Sequence, residues 1–373
     1  MMKRFLLLAW IVLLFAPAAW SQIEFDQIAN FGSRGISNLA LVRKGNHFGM
    51  IDNQGNLVIP VEYESIGQFG ANGVSGLALV RKRNYYGLID THGKLIVPVE
   101  YESIGRFGAN GVSGFASVRK RNYYGLIDTH GKLIVPVEYE SIGRFGANGV
   151  SGFASVRKRN YYGLIDTHGK LVVPVEYESI GRFGANGVSG FASVRKRNYY
   201  GLIDTHGKLI VPVEYESIGR FGANGVSGFA SVRKRNYYGL IDTHGKLVVP
   251  VEYESIGRFG ANGVSGFALV RKRNYYGLID THGKLIVPVE YESIGRFGAN
   301  GVSGFASVRK RNNYGLIDTN GKLIVPIEYE SIGNYGVYNP KWALVKKNDK
   351  FGFINLEGEV VVPVRYDDPN DVE

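Results

Sequence analysis

The sequence predicts an all-β fold made of tandem antiparallel meander units of 38 residues, stacked as an open solenoid-like array, with a closed β-propeller as the alternative. Three observations predict it. Gly87, Gly125, Gly163, Gly201, Gly239, Gly277 and Gly315 recur at a fixed 38-residue interval, each ahead of Leu-Ile-Asp, and Gly49 and Gly352 continue the series in divergent copies. No segment of the repeat carries a helical period; short runs rich in β-branched and aromatic residues alternate with turn residues. One unit is also too small to bury its own apolar residues, so neighbours must cover them, which is the logic of a repeat array.

In chain order, residues 1–21 read as a signal peptide: Lys3 and Arg4, an apolar run from Phe5 to Ala16, then Ala19 and Ser21 as small residues before a cleavage point at Gln22. The run is short for a membrane span of about 20 residues. Residues 22–364 form an array of nine repeats, and residues 365–373 an acidic tail with Asp367, Asp368, Asp371 and Glu373. The chain has no cysteine. Export would permit disulfides, so stability rests on burial and strand pairing alone. A bacterial secreted, periplasmic or cell-surface location fits these features. Loss of Lys3 and Arg4, with no acid removed, takes the formal charge from +11 to +9. The repeat is the source of this excess: between Glu100 and Val137 stand Arg106, Arg119, Lys120, Arg121 and Lys132 against Glu100, Glu102 and Asp128. A long basic surface favours anionic partners.

The repeat from Gly114 to Ser151 shows the local reading. Phe115 to Lys120 is a strand. Arg121-Asn122 makes a tight hairpin turn, because Asn tolerates positive φ. Tyr123 to Asp128 is the second strand, with Tyr124, Leu126 and Asp128 on one face and Tyr123, Gly125 and Ile127 on the other. Thr129-His130-Gly131 is a second turn, in which Gly131 supplies a left-handed position and Asp128 folds onto backbone N–H groups. Lys132 to Val137 is the third strand, and Pro136 places it at an edge or a bulge. Tyr139 to Phe145 is a short fourth strand, and Gly146 to Gly152 a loop. The apolar positions expected under cover of neighbouring units are Phe115, Val118, Tyr124, Leu126, Ile127, Leu133, Val135, Tyr139, Ile142 and Phe145.

Val118-Arg119-Lys120, Tyr124-Gly125, Ile127-Asp128, Gly131, Ile134-Val135-Pro136, Tyr139-Glu140 and Phe145 together resemble the WG repeat family of bacterial proteins. The resemblance covers nearly all of the chain after the signal segment. The chain departs from the family pattern in having Tyr or Phe, never Trp, before the repeated Gly. The resemblance implies a bacterial β-repeat protein and no particular activity.

Each candidate chemistry has a plainer reading. His130 and its equivalents could form a metal ladder, but they are replaced by Gln54, Asn320 and Glu357 in other copies, as a solvated turn residue would be. Asp128, Glu138 and Glu140 could be paired acids, but catalysis needs two carboxylates in different environments, and here each recurs in an equivalent setting. The glycine-rich segment Gly105 to Gly111 lacks the strand-loop-helix context of a phosphate-binding loop. The sequence therefore predicts no catalytic residues, no metal and no cofactor. The best binding candidate is the basic hairpin turn with its following aromatic: Arg81, Lys82, Arg83 and Tyr85; Arg119, Lys120, Arg121 and Tyr123; Arg157, Lys158, Arg159 and Tyr161; Arg195, Lys196, Arg197 and Tyr199; Arg233, Lys234, Arg235 and Tyr237; Arg271, Lys272, Arg273 and Tyr275; and Arg309, Lys310 and Arg311. Such a ladder suits an anionic glycan or envelope polymer, of lipopolysaccharide or teichoic type, held by many weak contacts, or a protein. Export argues against nucleic acid. The reading is an exported, non-catalytic binding scaffold; a purely structural spacer is the alternative.

Overall fold

A computed structural model describes residues 24–368; the signal segment expected at 1–21 and the last residues of the acidic tail lie outside the described residues. The chain forms two compact units, one drawn mainly from the residues up to Gly108 and the other mainly from Leu133 onward, with the intervening repeat divided between them. The first unit holds two complete four-stranded antiparallel sheets and the second holds six. The described structure is all-β, and none of these sheets closes into a barrel.

The sheet formed by Ser179–Ile180, Phe191–Lys196, Tyr199–Asp204 and Leu209–Tyr215 is representative. Its strands lie side by side in chain order. The hairpin pairs Phe191 with Asp204 through to Lys196 with Tyr199. Arg197 and Asn198 both have positive φ, 52° and 64°, which is the two-residue turn whose twist matches that of the flanking strands. Asp204 Oδ1 accepts from the backbone N–H groups of His206 and Lys208 at 2.8 and 2.9 Å, so the expected carboxylate-capped turn is present, with Gly207 at φ 76°. The last strand is an edge strand with register shifts along its length, and Pro212 is exposed on it, as a residue without an N–H requires.

Consecutive sheets within a unit share one apolar layer. Leu202, Val211 and Tyr215 of this sheet pack with Phe221, Ala230, Val232 and Ile241 of the next, all of them buried. The pattern follows from strand alternation: Leu202 and Tyr200 face one neighbour, Gly201 and Ile203 the other. Burying a Val, Leu or Ile side chain contributes about 1.5–3 kcal/mol, so each interface between repeats is worth more than any polar contact across it. Phe191 and Phe221 add a tilted ring pair at 6.1 Å.

Both ends of the described array are capped by divergent residues. At the first sheet, Ala40, Val42 and Ile51 form a buried cluster against Phe25, which occupies the place that Tyr63 and its equivalents fill elsewhere. Asp26 Oδ2 accepts from the Gly45 N–H at 2.6 Å, as Glu64 does from Arg83. At the last sheet, Phe353 is 3% exposed because Tyr338 and Trp342 cover it, with ring centroids at 5.3 and 6.0 Å.

Four local expectations need correction. The short strand after Tyr139 spans only Ser141–Ile142 and belongs to the following sheet, where Ser141 pairs with Arg157 and Ile142 with Val156. The strand expected to stop at Val137 continues to Tyr139. Leu133 is not covered by a neighbour: it and its equivalents Leu209 and Leu285 are 43–45% exposed, because they stand at the start of the edge strand. The final strand runs Val360–Tyr366, so Arg365 and Tyr366 are part of a sheet and the acidic segment begins at Asp367.

Candidate functional site, the hairpin edge of the repeats

In every sheet after the first, the first strand brings a glutamate beside the hairpin turn, where the first sheet has Asp26. Glu178 Oε1 accepts from the Arg197 N–H at 2.8 Å, and its other oxygen lies 3.1 Å from Arg195 Nε. Glu140 holds Arg159 and Arg157 in the same way, at 2.8 and 3.0 Å. One carboxylate thus ties the incoming strand, the hairpin and the turn together. The second basic residue reaches across to the neighbouring sheet: Lys196 to Glu176 and Lys234 to Glu214, each at 2.9 Å.

These pairings reduce the predicted ladder. Arg81, Arg157, Arg195, Arg233, Arg271 and Arg309 are ion-paired within their own sheet, and Arg119 is paired with Glu102. Lys82, Lys120, Lys158, Lys272 and Lys310 are paired with Glu62, Glu100, Glu138, Glu252 and Glu290. The Tyr162 phenol, followed by Glu140, raises the Arg157 guanidinium above its ordinary range. Around Glu292, partial desolvation pushes the carboxyl up, but the Arg311 N–H, the Arg309 side chain and the Asn312 N–H outweigh it, and it sits below the ordinary glutamate value. Glu138 and Glu140, weighed above as paired acids and set aside, are each ion-paired.

The third arginine differs. Arg83, Arg121, Arg159, Arg197, Arg235, Arg273 and Arg311 are exposed, and among the described residues none of their guanidinium groups has an ion-pair partner. All seven have φ between 51° and 53°, a left-handed backbone that a long side chain adopts at a cost of about 1 kcal/mol or more. The end repeats use Gly45 and Asn348 here, residues that adopt this conformation readily.

Beside six of these seven turns the next tyrosine stands half exposed, Tyr85, Tyr123, Tyr161, Tyr199 and Tyr275 at 45% and Tyr237 at 44%, while Asn313 takes this place beside Arg311. Tyr275, Leu285 and Val289 with the Lys272–Glu252 pair, Arg273 and Tyr253 line a groove of about 460 Å³, and the equivalent residues around Tyr85 line one of about 470 Å³. A second groove, of about 280 Å³, lies between Tyr123 and Val137 on one side and Lys158 and Arg159 on the other. Tyr85 lines a groove of each kind, so its ring is a fin between two shallow grooves with an apolar wall and a charged rim. Sequence reading missed the leucine, because exposure at the first residue of an edge strand carries no compositional signal.

Other candidates fall away on position. The histidines of the second turns are exposed, 87–88% for His92, His168, His206, His244 and His282, and 3.8–4.0 Å from the adjacent Asp carboxylates. Among the described residues no group of three or more His, Asp or Glu is placed to hold a metal ion. The segment Gly105 to Gly111 is loop, as expected.

Residues 48–86, 86–124, 124–162, 162–200, 200–238, 238–276, 276–314, 314–351 and 351–368 each match the family described as WG containing repeat. The chain belongs to this family. Every unit of this WG repeat protein, the capped ends included, carries the aromatic-Gly pair at the start of a match. No curated protein sequence matches the chain. Among solved structures it is similar to a crystal structure of a eukaryotic initiation factor, at 11% identity and a TM-score of 0.25, over 87% of this chain and 96% of that one. It is also similar to Citrobacter koseri AztD, at 10% identity and a TM-score of 0.22, over 86% and 92% of the two chains. A third is the dihydro-heme d1 dehydrogenase NirN, at 13% identity and a TM-score of 0.22, over 77% and 72%. Among the described residues no helix is long and apolar enough to cross a membrane.

Proposed function

We propose that this WG repeat protein is an exported, non-catalytic scaffold whose hairpin edge holds an anionic glycan or a related envelope polymer. One observation carries the reading: seven successive repeats place an unpaired arginine on a strained backbone, where the end repeats use Gly45 and Asn348. Strain that a cheaper residue would relieve points to a role for the side chain. The half-exposed tyrosine and leucine next to it offer a flat apolar wall for a sugar ring, and the guanidinium offers a planar fork for an acidic substituent.

Spacing supports a glycan over nucleic acid. Packed sheets lie about 10 Å apart, so the edge offers one free charge per layer. A nucleic-acid strand carries a phosphate about every 3.4 Å, far denser than this row. A polysaccharide in which an acidic sugar alternates with a neutral one is a closer match. Each contact is weak, and affinity comes from their number.

The reading predicts a trade between stability and binding. Changing the seven turn arginines to Gly should raise stability by about 0.5–1 kcal/mol for each repeat. The same protein should lose most of its retention on an immobilised polyuronate at low salt. Thermal melting and salt elution measure the two effects together. Unchanged retention would leave a structural spacer as the better description.

A further inference from the structure

A second arginine recurs at the other end of the same sheets. Arg106, Arg144, Arg182, Arg220, Arg258 and Arg296 follow the short first strand and are exposed. Among the described residues none of them has an ion-pair partner. Each is seated in a specific way. Arg182 Cγ and Nε lie 3.2 and 3.4 Å from where a Cβ would stand on Gly149, in the loop of the preceding repeat. Arg220 lies on Gly187 and Arg258 on Gly225 at similar distances. Those glycines have φ near 88°, so the loop both needs glycine and leaves a flat seat for the arginine stem. The carbonyl before each glycine is fixed as well: Asn148 O accepts from the Phe183 N–H at 2.8 Å.

The row is separate from the hairpin edge. Gly181 donates to Ser193 O and Gly184 to Phe191 O, which places Arg182 beside the start of the strand whose far end leads to Arg197. Four to five residues of strand separate the two levels, roughly 15 Å at the usual rise. That exceeds the screening length of about 8 Å at physiological ionic strength, so direct coupling between charges at the two levels is largely screened. The arginine position itself changes at the ends, where Gln68 and Asn334 take it.

We propose that this loop edge is a second anion-binding row, which takes oxyanion groups recurring along a linear polymer, so that the array can bridge two polyanionic chains. The stem of each arginine is already held down, so little side-chain freedom remains to be lost on binding.

The test uses the full chain with all six loop arginines changed to Gln, a matching set changed to Lys, and a third protein with the seven hairpin arginines changed to Gln. Circular dichroism and melting establish that each is folded. Elution salt is read on polyuronate, dextran sulfate and polyphosphate resins, which separate carboxylate, sulfate and phosphate as the group bound. Bridging is read as co-sedimentation of two populations of polymer-coated beads. The expected result is an affinity loss of about tenfold or more for the loop Gln set on at least one resin, loss of bridging in that set, and partial retention in the Lys set. The loop set must lose this affinity while the hairpin row is intact, and the hairpin set must keep residual binding. Elution of the loop Gln set at the parent's salt on all three resins would overturn the proposal. So would complete loss of retention in the hairpin set alone. If the hairpin set binds like the parent while the loop set does not, the hairpin reading and the bridging fail together, and only anion binding by the loop row stands.

Discussion

Changing Gly201 to Ala is expected to destabilise the protein by about 3 kcal/mol or more, although it adds one methyl group. A Cβ there would stand 2.6 Å from Val211 O and 2.8 Å from Val213 Cγ2. Neither atom can yield easily, since Val211 belongs to the edge strand and is itself buried against the next sheet. Gly207 is a second site of the same kind: a Cβ would meet Val172 O of the preceding repeat at 2.6 Å, on a backbone with φ 76°. Gly190 is the control, because nothing lies within 4 Å of its Cβ position, and Gly190→Ala should stay within about 0.5 kcal/mol of the parent. Urea denaturation of the three single variants measures the ranking. Equal effects at Gly201 and Gly190 would show that the strands Tyr199–Asp204 and Leu209–Tyr215 do not meet as closely as described.

Raising the pH should unfold the protein cooperatively between about 10 and 12. Tyr63, Tyr101, Tyr139, Tyr177, Tyr215, Tyr253, Tyr291 and Tyr329 are all held above the ordinary phenol value, first by burial and then by the preceding glutamate. Tyr335 is pushed up to about 12, again chiefly by burial. A phenol whose folded value is raised keeps its full contribution below the unfolded value of about 10 and loses it as pH climbs toward the folded value. For Tyr335 alone the loss approaches roughly 3 kcal/mol, and the other buried tyrosines add to it. Tyrosinate absorbance and far-UV circular dichroism, followed together, should show the buried phenols ionising only as the sheets are lost. Tyr335→Phe restores the residue that the other repeats carry at this place, and it should shift the alkaline midpoint upward. Free titration of all tyrosines near 10 with the β signal intact would contradict the burial assigned to them.

Much of this was legible in the sequence, for identifiable reasons. The period, the Arg-Asn hairpin, the Asp-capped turn and the proline at the edge are local: each depends on the backbone preference of one or two residues, and each is where it was expected. The failures concern partners distant in sequence. Glu102 and Arg119 are 17 residues apart, and Glu100 and Lys120 are 20 apart. They meet only once Ser103–Ile104 is assigned to the following strand, and that handover has no local signature. The neutralisation of two bases in every three was hidden for the same reason. Leu133 looked like a core residue because its chemistry says so, and only its place at the start of an edge strand exposes it. Trp342 is the only tryptophan among the described residues. Its role became readable once Phe353, at a position that internal repeats cover with the next sheet, was seen beneath it.

The central claim is that equivalent repeats share one task evenly, and a series lacking one, two or three internal repeats tests it most directly. Each deletion should remove 38 residues, such as 178–215, so that every remaining interface keeps its partner. The logarithm of the affinity for a long polyuronate should fall by a near-constant step for each repeat removed, while the folded β signal falls in proportion. Abrupt loss of all binding on removal of one particular repeat would contradict the account, because it would place the activity in a single site.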